Sequence, residues 1–79
     1  MVNTGSLSTR FTLHQLQAFV WTARLGTVHA AARHLHLTQP AISHRIRDLE
    51  EELGVQLFER QNQRLQVTEL GRNVLVYAE

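Results

Sequence analysis

With 79 residues, the chain is one small domain that buries only about 60% of its unfolded surface, which leaves no room for a large catalytic cleft. Its composition, 43% hydrophobic and 19% charged without any cysteine, is that of a soluble globular protein and excludes disulfides, thiolate metal sites and cysteine nucleophiles. The net charge of +1 divides unevenly, because residues 1–47 carry five arginines and no acid, whereas residues 48–79 carry seven acids and three arginines.

The first structured element is predicted to be a helix. Residues 1–10 are polar and rich in turn-forming side chains, and we expect them to form a flexible tail. The helix is predicted over about residues 12–25, because Thr12 and Gln15 have the spacing of a capping box and Gly26 ends the pattern. Its buried face is expected to consist of Leu13, Leu16, Val20 and Ala23.

The second helix is predicted to be short, with Thr27 as its N-cap. The spacing i, i+3, i+4, i+7 defines one buried face, made of Val28, Ala31, Ala32 and Leu35. Alanine at two of these positions allows a neighbouring helix to approach closely. Only His36 and Leu37 precede the next N-cap, so a tight turn is predicted between the second and third helices.

The third helix is predicted to begin after Thr38 as its N-cap, with Pro40 in the first turn, where the missing N–H costs nothing. Gly54 ends it after about 15 residues. Its buried stripe is predicted to consist of Ile42, Ile46, Leu49 and Leu53.

After Gly54 the apolar residues alternate with polar ones, first at Val55 and Leu57 and then at Leu65 and Val67, around the polar segment 59–64. This pattern predicts a two-stranded hairpin. Asn62 is the predicted turn residue, because asparagine tolerates a left-handed backbone. Thr68 is predicted to cap a final helix whose apolar strip comprises Leu70, Val74, Leu75 and Tyr77.

The order of helix, helix, tight turn, helix, hairpin and helix is typical of a mainly α winged helix-turn-helix, with a three-helix core and a two-stranded wing. The outer face of its third helix favours DNA binding. At 100° per residue, a polar group near the helix N-terminus lies away from the buried stripe: Gln39 at the edge, then Pro40, Ser43, His44 and Arg47. The next turn carries Glu50 and Glu51.

This polarity is the reverse of that of a structural helix, in which acids favour the first turn and bases the last. A recognition helix that enters the major groove by its N-terminal end would present polar side chains to base edges and keep its acids away from phosphate. The chain has eight arginines and no lysine, and arginine suits phosphate and guanine recognition. A solvated amphipathic helix with chance charge asymmetry is the alternative.

Other residues have two interpretations each. Arg60 and Arg64 flank the hairpin tip and could contact phosphate or the adjacent minor groove, or be ordinary exposed arginines. Thr27 and His29 open the second helix and either face the DNA backbone or serve only the helix end.

Metal, catalytic and membrane roles are disfavoured. His29, His34 and His36 lack neighbouring thiolates, carboxylates and an H-x-x-x-H pair. Ser43 and His44 diverge by about 100° on a helix, so they do not form a catalytic dyad. Apolar runs stay far below the roughly 18 residues of a membrane span, and residues 1–10 lack a signal-peptide pattern. We expect a cytoplasmic protein that is not an enzyme and has no cofactor or metal.

The stretch from Leu13 to Gly71 closely resembles the N-terminal DNA-binding domain of LysR-type transcriptional regulators of bacteria. The matching segments are LHQLQAFVWTARLGTVHAAARHLHLTQPAIS, IRDLEEELGVQLFER and LQVTELG. The resemblance implies a winged helix-turn-helix at residues 11–67 and the start of a linker and dimerisation helix at residues 68–79. It also implies DNA contacts at the matching positions Thr27, Thr38, Gln39, Pro40, Ala41, Ser43, Arg47, Arg60 and Arg64.

What the resemblance implies about partners is equally specific. Family members bind interrupted-dyad double-stranded DNA as homodimers or higher oligomers to control transcription, so this chain is expected to act at the bacterial nucleoid. The strip Leu70, Val74, Leu75 and Tyr77 would serve dimerisation. A small-molecule effector is implied only for a C-terminal domain absent from the chain. The competing hypothesis is a winged-helix module for protein–protein assembly through that strip, without DNA readout.

The sequence also departs from the family pattern. His44 stands where the family usually has a basic residue, and Asn62, Gln63 and Gln66 replace glycine or basic residues that are common in the wing. Each lost phosphate contact lowers the slope of log affinity against log salt by about 0.9. We therefore expect a shallower salt dependence than that of more basic relatives.

Overall fold

The computed structural model describes residues 12–61 and 64–78, which form four helices and one two-stranded antiparallel sheet. The helices are α1 (Leu13–Leu25), α2 (Val28–Leu35), α3 (Gln39–Leu53) and α4 (Glu69–Ala78), and the strands are β1 (Phe58–Gln61) and β2 (Arg64–Val67). This is the predicted mainly α winged helix-turn-helix. The tail at residues 1–10 and the turn residue Asn62 were predictions that lie outside the described residues.

Local caps fix the helix ends where the sequence predicted them. The Thr12 hydroxyl accepts from the Gln15 backbone N–H at 3.1 Å, and the Gln15 side-chain oxygen accepts from the Thr12 N–H at 3.1 Å. The Thr27 hydroxyl accepts from the Ala30 N–H at 3.0 Å. Gly26, at φ +92°, ends α1 in the left-handed conformation that a residue without Cβ adopts at low cost.

The tight turn between α2 and α3 depends on the backbone of His36, which was predicted to lie in the turn but not to adopt a left-handed conformation. His36 adopts a left-handed backbone at φ +58°. This lets the Leu37 N–H donate to the Ala32 carbonyl at 2.8 Å and the His36 N–H donate to the Arg33 carbonyl at 3.4 Å. The pattern is that of a Schellman motif formed without glycine. It turns the chain within two residues, as predicted, and places the start of α3 beside α2.

The core lies where α1, α2 and α3 meet. The predicted alanine contact is confirmed, since Ala31 is fully buried and Ala32 is only 4% exposed. The stripe of α3 is also confirmed, with Ile42, Ile46 and Leu49 buried and Leu53 packed against them.

The predicted face of α1 was wrong in its centre. Leu13 is 68% exposed, whereas Ala18, Phe19 and Thr22 are buried. Leu16 and Val20 are half-buried at the edge of the core. The buried face includes a threonine, so the apolar residues at helical spacing mark a stripe that is rotated away from it.

The wing begins later in the chain than predicted. The alternation of Val55 and Leu57 suggested an earlier strand, but β1 starts at Phe58, and its register with β2 pairs Phe58 with Val67 and Gln61 with Arg64. Most of the polar segment predicted as the connection therefore lies within the strands. Leu57 is instead fully buried just before β1. The ring centroid of Phe58 lies 5.4 Å from that of Phe19, edge to face, which fixes the wing against α1.

Helix α4 packs against α1 and β2. As predicted, Thr68 caps it, because its hydroxyl accepts from the Gly71 N–H at 2.9 Å while donating to the Gln56 carbonyl at 2.7 Å. The predicted apolar strip does not form one exposed face. Val74 and Leu75 pack against the core, because they lie on the same side of α4 as Gly71, which approaches Leu57 and Val67 at the base of the wing.

Candidate nucleic-acid interface

The N-terminal turns of α3 carry the predicted recognition side chains on one side of the molecule. The Thr38 hydroxyl accepts from the Ala41 N–H at 3.3 Å, and Pro40 occupies the first turn. Gln39, Pro40, His44 and Arg47 are exposed, whereas Ala41 and Ser43 are half-buried. Helix α3 has no acid in its first turn and no base in its last. The reversed polarity predicted from the sequence is therefore present in the folded helix.

A shallow notch brings the starts of α2 and α3 together beside the wing. The residues that line it come from the N-terminal ends of α2 and α3 and from β2: Gly26, Thr27, Val28, His29, Gln39, Ser43 and Leu65. Because helix N-termini carry unpaired N–H groups and a partial positive charge, the notch combines two such ends. It unites three of the predicted site residues, namely Thr27, Gln39 and Ser43.

A second groove runs between α3 and the wing. Ser43 and Arg47 line it on the α3 side, and Phe58 and Leu65 line it on the wing side. Ser43 contributes to both concavities, so the notch and the groove form one continuous surface along α3. Leu65, a wall residue of both, was not among the sequence-predicted site residues, because nothing local marks an alternating strand residue as part of a remote surface.

His44 lies on the same exposed face of α3 but lines neither concavity. Its side chain is 71% exposed, and its Nδ1 lies 3.7 Å from a carboxylate oxygen of Asp48, one turn further along the helix. The carboxylate offers the imidazole a partner within the helix, which competes with any contact to phosphate.

Gln39 makes a side-chain contact across the notch. Its Nε2 lies 2.9 Å from Nδ1 of His29 on α2. From the sequence, Thr27 and His29 had two interpretations, either facing the DNA backbone or serving only the end of α2. In the structure Thr27 caps α2. The pairing of His29 with a residue ten positions away has no local sequence signal.

Glu50 has a role that the sequence did not reveal. It was expected to lie on the outer face as an acid that repels phosphate, but it is half-buried and turned towards the wing. Its Oε2 accepts from the Leu57 N–H at 2.8 Å and from the Phe58 N–H at 3.3 Å. Glu50 therefore joins α3 to the start of β1 and sets the position of the wing beside α3.

The clustered histidines are separated in the fold. His29 contacts Gln39, His36 forms the turn after α2, and His34 contacts Trp21 with ring centroids 3.9 Å apart and the ring planes inclined by 37°. Over residues 12–61 and 64–78, no group of three or more potential ligands converges as a metal site would require. In the same part of the chain, no helix combines the length and apolar character needed to cross a bilayer.

Two predicted wing residues are placed only by their backbone. Arg60 pairs with Leu65 and Arg64 pairs with Gln61, so both lie in the strands next to the hairpin turn. Their side chains lie outside the described part of the chain.

The predicted dimerisation residues have different exposures. Leu70 is 51% exposed and Tyr77 is 93% exposed, whereas Val74 and Leu75 are half-buried. Val76, which the sequence did not single out, is 77% exposed. At 100° per residue Leu70 and Tyr77 lie within about 20° of each other, so they form a common stripe on α4.

Comparison with known proteins identifies one family of bacterial regulatory proteins. Residues 13–72 match the family model described as "Bacterial regulatory helix-turn-helix protein, lysR family". The chain is 46% identical over 66 residues to the RuBisCO operon transcriptional regulator of Allochromatium vinosum, covering 84% of this chain and 22% of that protein. It is 48% identical over 67 residues to the HTH-type transcriptional regulator CfxR of Cupriavidus necator, covering 85% of this chain and 21% of that protein. The chain thus spans about a fifth of these relatives.

Solved structures show the same similarity in three dimensions. The CbnR_DBD–DNA complex superposes with a TM-score of 0.82 at 37% identity, covering 86% of this chain and 78% of that one. The BenM_DBD/catB site 1 DNA complex has a TM-score of 0.82 at 37% identity, covering 86% of this chain and 76% of that one.

Proposed function

Because the chain belongs to the LysR family of bacterial helix-turn-helix regulatory proteins, we propose that it binds double-stranded DNA sequence-specifically and serves transcriptional regulation at the bacterial nucleoid. The observation that carries this proposal is the continuous surface formed by the notch and the groove along the N-terminal half of α3. The DNA complexes among the structural relatives support the same function.

In this proposal the N-terminal half of α3 enters the major groove. Gln39 and Arg47 are exposed there, and Ser43 lies between them at the junction of the two concavities. Glutamine and arginine side chains offer the paired hydrogen-bonding groups that match adenine and guanine edges, respectively. Glu51, exposed in the last turns of α3, would then lie away from the groove, where its charge does not oppose phosphate.

Phosphate contacts would hold this orientation. The N-terminal ends of α2 and α3 lie together at the notch, where backbone N–H groups and the Thr27 and Thr38 hydroxyls can meet the DNA backbone. Pro40 and Ala41 would shape the close approach of the first turn. Arg60 and Arg64 would reach phosphate or the minor groove from the wing. His44, partnered by Asp48, would contribute less.

We further propose that two copies pair through α4 to bind an interrupted dyad. The exposed stripe of Leu70 and Tyr77 supplies apolar surface that a second copy would cover, with Val74 at its edge. Leu75 would support the helix from the core side. Pairing by a two-fold axis would place two recognition helices about one DNA turn, or a multiple of it, apart.

Selection from a randomised duplex pool tests the function. The chain should enrich a sequence. The logarithm of its affinity for that sequence should fall linearly with the logarithm of the salt concentration, with a slope of about 0.9 per phosphate contacted. If no DNA sequence is enriched, and self-association of the chain depends on protein concentration but not on salt, the result would instead support assembly through the apolar stripe.

Gln39→Ala tests the base-reading role. We expect it to cost about 1–3 kcal/mol on the selected site and to relax the preference at one base pair, because a bidentate contact is lost. Fluorescence anisotropy on the selected site and on random DNA measures both effects. An equal loss on both sequences would show that Gln39 does not read a base.

A further inference from the structure

The contact between His29 and Gln39 is a candidate for more than local packing. Gln39 Nε2 and His29 Nδ1 are 2.9 Å apart, although both residues are exposed. An amide nitrogen only donates, so Nδ1 accepts in this contact, which requires the imidazole tautomer with its proton on Nε2. The contact therefore fixes which end of the Gln39 amide faces α2.

A capping role does not account for His29. The N–H group of Ala30 is already bound by the Thr27 hydroxyl at 3.0 Å, and the Ala31 N–H donates to the Thr27 carbonyl at 3.2 Å. The imidazole instead extends to the first residue of α3, across the notch at the proposed DNA surface. Its contact with Gln39 links the two helices of the helix-turn-helix at that surface.

We infer that His29 is a positioning residue that sets the base preference of Gln39, by fixing its amide so that it selects adenine over guanine. The inference rests on the proposed function, because it requires Gln39 to meet a base edge in the major groove. It adds to that function the residue that orients Gln39 and the base that Gln39 prefers.

The preference follows from counting hydrogen-bonding groups. A glutamine amide has two N–H donors and one carbonyl acceptor. His29 takes one N–H, which leaves one donor and the acceptor. Adenine offers N7 as an acceptor and N6 as a donor in the major groove, so it matches this remaining pair. Guanine offers two acceptors, N7 and O6, and a bidentate contact would need both N–H groups of the amide.

The expected size of the effect follows from side-chain freedom. Holding a long, flexible side chain in one arrangement costs roughly 0.5–1.5 kcal/mol, which corresponds to about a 2- to 10-fold change in affinity. The contact with His29 holds the Gln39 side chain in one arrangement before DNA binds. Without it, Gln39 must be ordered during binding, and its second N–H is released for contact with guanine.

Two variants separate positioning from folding. His29→Leu removes the acceptor, whereas His29→Asn keeps one, since the asparagine Oδ1 stands at the same distance from Cβ as Nδ1. His29 is exposed on α2, so the thermal unfolding of both variants should remain close to that of the parent. Gln39→Ala identifies the base pair concerned, and the double variant His29→Leu/Gln39→Ala measures coupling.

Affinities are measured for four duplexes that differ only at that base pair. We expect adenine to be preferred, His29→Leu to reduce the adenine-to-guanine ratio by about 2- to 10-fold, and His29→Asn to retain it. In the Gln39→Ala background, His29→Leu should have no further effect. Three outcomes would overturn the inference while leaving the proposed function in place. The adenine-to-guanine ratio of His29→Leu could equal that of the parent, His29→Leu and His29→Asn could lose the same share of that ratio, or the preferred base could be one other than adenine. A parent protein without base preference at any position would overturn the proposed function as well.

Discussion

Substitution of Gly71 by alanine should destabilise the domain, although the same change favours most helices. Gly71 is buried in the first turn of α4, where it meets the wing base. An added Cβ would overlap the carbonyl oxygen of Leu57 and lie 2.8 Å from Cγ1 of Val67. The Val67 side chain can move, but the Leu57 oxygen belongs to the backbone just before β1 and also accepts from the Thr68 N–H at 3.0 Å.

The magnitude follows from two opposing terms. Overpacking typically costs about 1–3 kcal/mol, and overlap with backbone places this site in the upper half of that range. Replacing glycine by alanine inside a helix returns about 1 kcal/mol. The net loss in the free energy of unfolding should be about 1–2 kcal/mol, which lowers Tm by roughly 5–15 °C in a domain of this size.

Urea unfolding and thermal melting measure the effect, with Asn73→Ala as a matched control. Asn73 is exposed on the same helix, so its replacement should be neutral or stabilise the domain by about 0.5 kcal/mol. If Gly71→Ala unfolds at the same urea concentration as the parent, or at a higher one, helix propensity governs this site and the close approach of α4 to the wing base is refuted.

Three further substitutions test the packing, the wing and the phosphate contacts. Ala32→Leu should lower the free energy of unfolding by about 1–3 kcal/mol in urea, because α2 and α3 leave no space for three more carbons; an unchanged midpoint would contradict that contact. Glu50→Ala should lower the free energy of unfolding by about 1.5–3 kcal/mol, because it leaves the Leu57 and Phe58 N–H groups unpaired. The control Glu51→Ala, at an exposed neighbour, should change it by less than about 0.5 kcal/mol. Equal effects of the two substitutions would show that Glu50 does not hold the wing. Arg64→Ala should weaken binding to selected and random duplexes alike and reduce the salt slope by about 1, whereas a loss confined to one sequence would mean that Arg64 reads bases.

The helix ends could be predicted because each depends on residues close together in the chain. Thr12, Thr27 and Thr38 all cap helices with their hydroxyls, and each accepts from an N–H three residues ahead. Gly26 and Gly54 end α1 and α3 at positive φ, as glycine after a helical pattern predicts. The order of elements and the winged helix-turn-helix followed from these local signals.

Features that depend on tertiary contact were predicted less well. The buried face of α1 is centred on Phe19 and Thr22, and burial of a threonine does not follow from apolar spacing. The start of β1 depends on Glu50, which binds two N–H groups seven and eight residues away. In the candidate site, residues of α3 were identified from their exposed face, but their pairing with α2 required the angle between the helices, and His29 was therefore left with two interpretations.

The most direct test of DNA binding by the notch and the groove is an amide chemical-shift titration of the isotope-labelled domain with an A/T-rich interrupted-dyad duplex at two salt concentrations. DNA binding by this surface predicts shifts concentrated at residues 27–29, 38–47 and in the wing, which shrink as salt is raised. Shifts confined to α4 that follow protein concentration and ignore DNA would contradict it, and would identify the domain as an assembly module.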